Sequence, residues 1–476
     1  MPTDPIPEAQ TELEYLRQTL SQGADERIFL REDGTIKYGI SLTDTGVVNR
    51  GSCTANPLNQ EDLAYLQQLQ RDHKTTTQWA DVLETCTQGI QKEIHGPGDP
   101  AFEVFYAPSG TDLMYYPLLF GRLLHPEKPL LNIVTCLEEL GSGTKLSSRG
   151  KYFSAYSQFG EALPTGEDII DASNLETVFY QARSEQGEIL THDQDIQALV
   201  QAHPQHLIIV NLVYGSKSGI QDNLELIDKI DAPNVIWNVD LCQFRHRRSI
   251  VNQLIGKGAL VMITGSKFYQ APPFCGALLV PQELYRQLDQ LTDWEAARPF
   301  QKIFSQYDFP KPLRRHLSFL SGQINVAGIL RWSVAVREMK RYLGINREKR
   351  MEKVRAWNQT IIQEMDRLAG FELIPDHEQT NKSIISFRLR KGPTYLSHEA
   401  LKRFHYELVS QHYGQQYTFD RIFIGQPVAY TNSSFLRLSI GAKNVRQFVA
   451  EDEREFARDR EILYIIADKL KHFENA

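Results

Sequence analysis

Between residues 101 and 280 the chain repeatedly interrupts helical patterns with short, largely apolar runs, at 101–107, 130–135, 207–213, 235–239, 260–263 and 277–280. Runs of four to seven residues are too short for core helices, and their lack of polar alternation means that both faces are buried. Parallel strands joined through helices meet both conditions, because each crossover lays a helix over the sheet. The runs therefore predict an α/β domain on a mostly parallel sheet.

Residues 1–95 hold a helical pattern at 7–21, the loop Asn49-Arg-Gly-Ser-Cys-Thr-Ala-Asn56 and a second helical run at 59–92, and read as an N-terminal segment. The turn-forming His95-Gly-Pro-Gly-Asp-Pro100 closes it. The large domain spans 96–330. A helical stretch rich in Arg, Lys and Glu (330–368) then leads to strand-like runs at 383–389 and 435–440, with a helix at 398–411 between them. That order predicts a smaller α+β domain over 331–476. A charged helix at 445–473 is expected to present a solvated amphipathic face.

The 476 residues carry 52 Lys and Arg against 59 Asp and Glu, a net charge of −7. No field gathers a polyanion, so nucleic acid is not an expected partner. Five cysteines form no CxxC pair, which suggests neither a disulfide framework nor a metal knuckle and points to a reducing cytoplasm. No stretch reaches the ~18 uncharged apolar residues of a membrane span, and residues 1–20 lack an apolar signal core. No membrane partner is expected.

Two segments at the carboxyl ends of apolar runs carry chemistry: Asn238-Val-Asp-Leu-Cys-Gln243 and Ile263-Thr-Gly-Ser-Lys-Phe268. Ligands bind at that edge of an open α/β sheet. Asp240 and Lys267 are 27 residues apart, about one β-helix-β unit, so their strands are expected to lie side by side with both side chains over one crevice. A lysine there can form a Schiff base, and pyridoxal phosphate also needs an acid against its pyridine nitrogen, because a protonated ring is the better electron sink. Taken singly, Asp240 reads as a helix cap and Lys267 as a solvated loop residue; together they predict a pyridoxal-phosphate site. A third segment, Tyr106-Ala-Pro-Ser-Gly-Thr-Asp112, opens a helix at 113–124. Gly110 lets backbone approach a ligand, Thr111 offers a hydroxyl, and the N–H groups of the first turn suit an anion. Ser-Gly-Thr-Asp is equally an ordinary helix N-cap.

Over about residues 96–445 the sequence resembles the fold-type I pyridoxal-phosphate enzymes, and within them the class V aminotransferase and cysteine desulfurase branch. The pieces that carry the resemblance stand in the family's order: Ser109-Gly-Thr111, Asn211 in Asn211-Leu-Val-Tyr-Gly-Ser-Lys-Ser-Gly219, Asp240 with Gln243, Ser266-Lys267, Ala271-Pro-Pro-Phe-Cys-Gly-Ala-Leu278, and Ser321-Gly-Gln-Ile-Asn325. The resemblance implies a three-layer α/β/α large domain with a mostly parallel sheet and a smaller α+β C-terminal domain. By the same resemblance Ser109, Gly110, Thr111 and Ser266 hold the cofactor phosphate, Gln243 its phenolic oxygen and Asp240 its ring nitrogen, while Asn211 sits near the ring or substrate and Lys267 carries the Schiff base. Ser321–Asn325 resembles a loop that crosses to a partner subunit, which implies a homodimer with Gln323 at the partner's phosphate. Arg437, in Ser433-Ser-Phe-Leu-Arg-Leu-Ser439, stands where the family places the arginine for the substrate's α-carboxylate.

The sequence departs from the pattern in three places. Gln323 replaces the branch's usual threonine. No cysteine lies between Ser321 and Arg437, where desulfurases of the branch carry the thiol that attacks substrate sulfur; Cys242 and Cys275 sit in apolar segments and read as buried. The segment Cys136-Leu-Glu-Glu-Leu-Gly-Ser-Gly-Thr144 offers no aromatic to stack on the ring, which leaves Glu139 or the 141–144 turn to cover it. Arg245-His-Arg-Arg248 reads as an exposed helix start or as a reader of a second acidic group, and Arg50 and Ser52 as part of a loop closing over the site. The expected activity is aminotransfer on an amino acid or related amine by a cytoplasmic homodimer. A lyase acting at Cβ or Cγ shares every residue named, and the presence of Lys267 and Asp240 argues against an idle binding relative.

Overall fold

The computed structural model describes residues 12–44, 46–51, 55–374, 382–417, 419–430, 434–451 and 456–474. Its strands are β1 (Val47–Arg50), β2 (Phe102–Ala107), β3 (Leu130–Val134), β4 (Leu175–Phe179), β5 (Leu207–Val213), β6 (Val235–Asp240), β7 (Leu260–Thr264), β8 (Gly276–Pro281), β9 (Phe371–Leu373), β10 (Ile384–Lys391), β11 (Thr394–Tyr395), β12 (Arg421–Val428) and β13 (Phe435–Ser439). One seven-stranded sheet has the order β2-β8-β7-β6-β5-β3-β4. Its pairings from β7 to β4 are parallel, and β8 runs antiparallel to both β2 and β7. All six apolar runs are strands of this sheet, to within one residue at each end. β3, β5, β7 and β8 are buried at every position, as a sheet covered on both faces requires. β4, which no apolar run announced, is the half-exposed edge strand.

Alternation along β5 separates two cores. Ile208, Val210 and Leu212 pack in the cluster that includes Ile90 and Ile94 of the helix Thr76–His95, whereas Leu207, Ile209 and Val213 pack in the cluster of the helix Tyr115–Leu124. The result is the three-layer α/β/α arrangement. The helix Val326–Leu343 buries Leu330, Trp332, Val334 and Met339 in the first core, so the division expected at 330/331 falls inside a helix that belongs to the large sheet. The long stretch at 330–368 is two helices, broken at Gly344 and restarted by Asn346, whose side chain accepts from the Glu348 and Lys349 N–H groups.

The second sheet runs β1-β12-β13-β10-β11, with β9 beside β10. β1 pairs parallel with β12, so the N-terminal segment extends the small sheet while its helices cover the large one. Arg50, at the end of β1, is buried against Asp459 of the helix Phe456–His472, with Nε and Nη2 at 2.6 and 3.0 Å from its oxygens. Asp459 also accepts from Trp357 Nε1 at 3.0 Å. Arg50 is thus committed to the small domain and does not close over a site; Ser52 lies outside the described residues. Where one helix was expected over 445–473, the described residues form two, Ala442–Ala450 and Phe456–His472; the second has a solvated face, but Ile462, Leu463, Ile466 and Leu470 seal the small core. No described helix is long and apolar enough to cross a membrane.

The Arg50–Asp459 pair yields a stability prediction. Asp459→Ala leaves a guanidinium and an indole N–H buried without their acceptor, and urea unfolding is expected to show a loss of about 3–5 kcal/mol. A loss within the range of an exposed ion pair, about 1 kcal/mol or less, would show that Arg50 regains water.

Candidate active site

β5, β6 and β7 run parallel and end at one edge of the large sheet. Asp240 is the last residue of β6, and its Oδ1 accepts from the Cys242 N–H at 2.7 Å. The Thr264 hydroxyl, at the end of β7, donates to the Cys242 carbonyl at 2.7 Å, tying the Asp240 loop to the segment that carries Lys267. The loop after β2 packs on the same turn: a Cβ at Gly110 would stand 2.7 Å from Cys242 Sγ, so only glycine permits the approach. Ser109, Gly110, Thr111, Asp240, Gln243, Ser266 and Lys267 consequently line one cleft. A roomier groove crosses the small domain near Gly370 and Phe473, but there the cations Lys391, Lys469 and Lys471 are each engaged by protein oxygens.

Among the described residues four that are not glycine have positive φ: Cys136 (51°), Phe244 (52°), Gln270 (51°) and Phe274 (71°). All four leave the carboxyl ends of β3, β6 and β7. Strain of this kind persists only where surroundings over-determine it, and it gathers at functional sites.

Three expected residues lie elsewhere. Asn211 sits inside β5, donates to Asn132 Oδ1 at 2.7 Å and to the Ile133 carbonyl at 2.8 Å, and accepts from Asn238 at 2.8 Å. It is a rung of an asparagine ladder across three strands, and the cleft is reached instead by Val213 and the 215–217 loop. Gln323 is exposed and does not line the cleft of its own chain. Arg437 is buried on β13 and donates to the Gln426 carbonyl at 2.8 Å and to that of Lys217 at 3.4 Å, which puts it behind the cleft wall. Arg245 is buried rather than exposed: it donates to Ser383 Oγ at 2.8 Å and to the Ile440 carbonyl at 2.6 Å, joining the two domains. Burial, then the charge of Arg437, brings its guanidinium down to about 9. Arg247 and Arg248 are exposed.

Glu139 does line the cleft, but as the hub of a buried network. It accepts from the Ser218 N–H at 2.8 Å and hydroxyl at 2.7 Å, from the Ser216 hydroxyl, from Arg183 Nε at 3.4 Å and from the Tyr430 hydroxyl at 3.0 Å. Burial pushes its carboxyl up, but Arg183 and the serine donors outweigh that and hold it below the ordinary value. Two contributors from the N-terminal segment had no local sequence signal. Asn56 donates to the Ser266 carbonyl and, at 3.3 Å, to that of Ala271, bracing the lysine loop. Arg27 enters the cleft beside Phe274. Both are brought in by chain reversal over tens to hundreds of residues, which no short window encodes.

At the cleft's other end Ser109 Oγ caps the helix, accepting from the Thr111 and Asp112 N–H groups at 3.2 and 3.4 Å, and donates to Asp112 Oδ2 at 2.6 Å. Burial first, then the nearby Asp25 charge, pushes the Asp112 carboxyl up to about 7. The folded state therefore holds a proton that the unfolded chain, titrating near ~3.9, gives up, and stability falls as pH rises from ~3.9 to about 7. Asp112→Asn should reduce that decline when urea midpoints are compared at mildly acidic and neutral pH; an unchanged decline would place the bound proton elsewhere, with Asp308, also pushed up to about 7 by burial, the next group to test.

No family model matches the sequence, and no curated protein matches it either. Solved structures do match in fold. A Catharanthus roseus tryptophan decarboxylase in complex with L-tryptophan superposes with a TM-score of 0.59 at 12% identity, over 99% of this chain and 91% of that one. The Escherichia coli cysteine desulfurase CsdA gives 0.55 at 15% identity, over 90% and 95%. A phosphoserine aminotransferase from Cytophaga hutchinsonii gives 0.50 at 11%, over 86% and 98%. The chain therefore has the fold of the fold-type I pyridoxal-phosphate enzymes, the family that its motifs resemble.

Proposed function

We propose that this chain binds pyridoxal phosphate and acts as an aminotransferase on an amino acid or related amine. The observation that carries the cofactor reading is the meeting of an amine, Lys267, and a carboxyl, Asp240, from adjoining parallel strands, with the hydroxyl and glycine loop Ser109–Thr111 lining the same cleft. The donor set fits the group. Lys267 would take the aldehyde carbon, Asp240 the ring nitrogen, Gln243 the phenolic oxygen, and Ser109, Thr111 and Ser266 the phosphate. When bound, pyridoxal phosphate supplies a sink for the electron pair left at the substrate's Cα.

The chain's own part is positioning and proton movement. Lys267 Nζ, freed by the incoming amine, would take the Cα proton as a general base and, once protonated, would deliver it as a general acid to the aldehyde-derived carbon across the substrate nitrogen. Arg437, linked to the cleft wall through the Lys217 carbonyl, would meet the substrate's α-carboxylate only on giving up that contact and the Gln426 carbonyl. Aminotransfer is favoured over sulfur transfer because burial raises the described thiols beside the lysine, away from the thiolate form. Burial and Asp240 hold Cys242 far above the ordinary range, and burial pushes Cys275 up to about 12, whereas thiol attack needs a thiolate. A decarboxylase or β-eliminating lyase would use the same residues. Gln323, exposed on its own chain, is read as completing the site of a second copy, so the working unit is a homodimer, in the cytoplasm by the cysteine argument.

Borohydride reduction of protein loaded with pyridoxal phosphate is expected to fix the cofactor on Lys267, and Lys267→Ala should lose the adduct. Lys217 also lines the cleft, with Nζ donating to the Leu140 carbonyl; mass spectrometry that places the adduct there would overturn the assignment. With a panel of amino acids, appearance of pyridoxamine phosphate and a keto acid supports aminotransfer, whereas carbon dioxide, sulfide or ammonia release without it assigns a lyase. Asp240→Asn is expected to keep the fold and lose turnover by orders of magnitude, because a neutral amide cannot hold the ring nitrogen protonated.

A further inference from the structure

We propose that Arg27 is the cationic donor to the cofactor's phosphate, an inference that rests on the pyridoxal-phosphate reading above. Among the described residues the cleft is lined by three cations, Arg27, Lys217 and Lys267. Lys267 is assigned to the aldehyde and Lys217 Nζ donates to the Leu140 carbonyl. Arg27 is engaged too, by Asp25, but through only part of its guanidinium. Its Nε and Nη2 are fixed by the two Asp25 oxygens at 2.7 and 2.5 Å, and its guanidinium lies 4.9 Å from the Phe274 ring and 5.8 Å from that of Phe153. Those contacts lock the fork and leave Nη1 without a hydrogen bond to any described protein group.

Neighbours locate the fork at the phosphate end. Phe153 stands against Gly143, where a Cβ would also come within 3.0 Å of the Thr111 methyl. Arg27 and the Asp112 carboxyl feel each other's charge. The segment is fastened by Arg331, which is buried and donates to the carbonyls of Leu20 at 2.8 Å and Gln22 at 2.5 Å, and to that of Phe274 at 3.3 Å, so one guanidinium anchors both the Arg27 segment and the ring on which Arg27 lies.

The chemistry asks for such a residue. Ser109 Oγ already accepts from the Thr111 and Asp112 N–H groups, and the hydroxyls of Ser109, Thr111 and Ser266 are neutral. A phosphate dianion withdrawn from water needs a cation near it, and a guanidinium matches its oxygens better than an ammonium does. Asp25 orients the fork, and Asp112, with its carboxyl pushed up to about 7, adds little repulsion in mildly acidic solution.

The test is titration of the full-length protein with pyridoxal phosphate and with pyridoxal, which lacks the phosphate, in wild type, Arg27→Gln and Arg27→Lys. Arg27→Gln is expected to weaken pyridoxal phosphate roughly 10- to 100-fold and leave pyridoxal unchanged, with Arg27→Lys between. Inorganic phosphate should compete with pyridoxal phosphate in wild type. If Arg27→Gln fails to fold, the lysine variant, which keeps stem and charge, carries the comparison. Equal weakening of both compounds would overturn the proposal in favour of a purely structural role. Unchanged pyridoxal phosphate affinity with a raised KM for amino donors bearing a second acid would overturn it in favour of substrate reading. Wild-type protein that binds neither compound would reject the cofactor reading itself.

Discussion

Everything in the site follows from three parallel strands ending at one edge. Because β5, β6 and β7 point the same way, their trailing loops open on a single crevice, and the acid of one strand meets the lysine that follows the next. β8 completes the enclosure by running back. A Cβ at Gly276 would lie 3.0 Å from the Ser109 backbone, so the return strand and the loop after β2 press together and bring Ser109–Thr111 to face the lysine loop. Positive φ at Phe244, Gln270 and Phe274 is how the connecting segments turn sharply enough to do this.

Buried charges then fasten the outlying parts to that edge. Taking an ion out of water costs several kcal/mol, and removing one member of a buried pair is worse than replacing both. Each such group here joins segments distant in sequence: Arg331 holds residues 20–23, Arg50 meets Asp459, and Glu139 gathers Arg183, Ser216, Ser218 and Tyr430. Glu139 joins the cleft wall to the small domain through Tyr430, and Arg245 does so through Ser383 and Ile440.

Much of this was legible in the sequence, for identifiable reasons. Strands buried on both faces announce themselves as apolar runs, so the core of the large sheet was readable, whereas β4 at its edge mixes Glu and Thr into a half-exposed strand and was not. Asp240 and Lys267 were readable because each sits at a strand end and their spacing matches one crossover. Asn211 was assigned through the family resemblance of its segment, while in the fold it satisfies Asn132 and Asn238. Arg245 looked exposed because a run of four basic and polar residues carries no sign that one side chain will be drawn under the other domain. Arg27 and Asn56 were invisible because their place depends on how the N-terminal segment is laid across the molecule.

The central claim is that this cleft seats pyridoxal phosphate between Lys267 and Asp240. A crystal structure of the protein grown with pyridoxal phosphate tests it most directly. The account predicts density continuous from Lys267 Nζ into the cofactor, a ring nitrogen within hydrogen-bonding distance of Asp240, and the phosphate at the Ser109–Thr111 end. Cofactor density elsewhere, as in the groove near Gly370 and Phe473, or a cleft that stays empty at saturating cofactor, would contradict it.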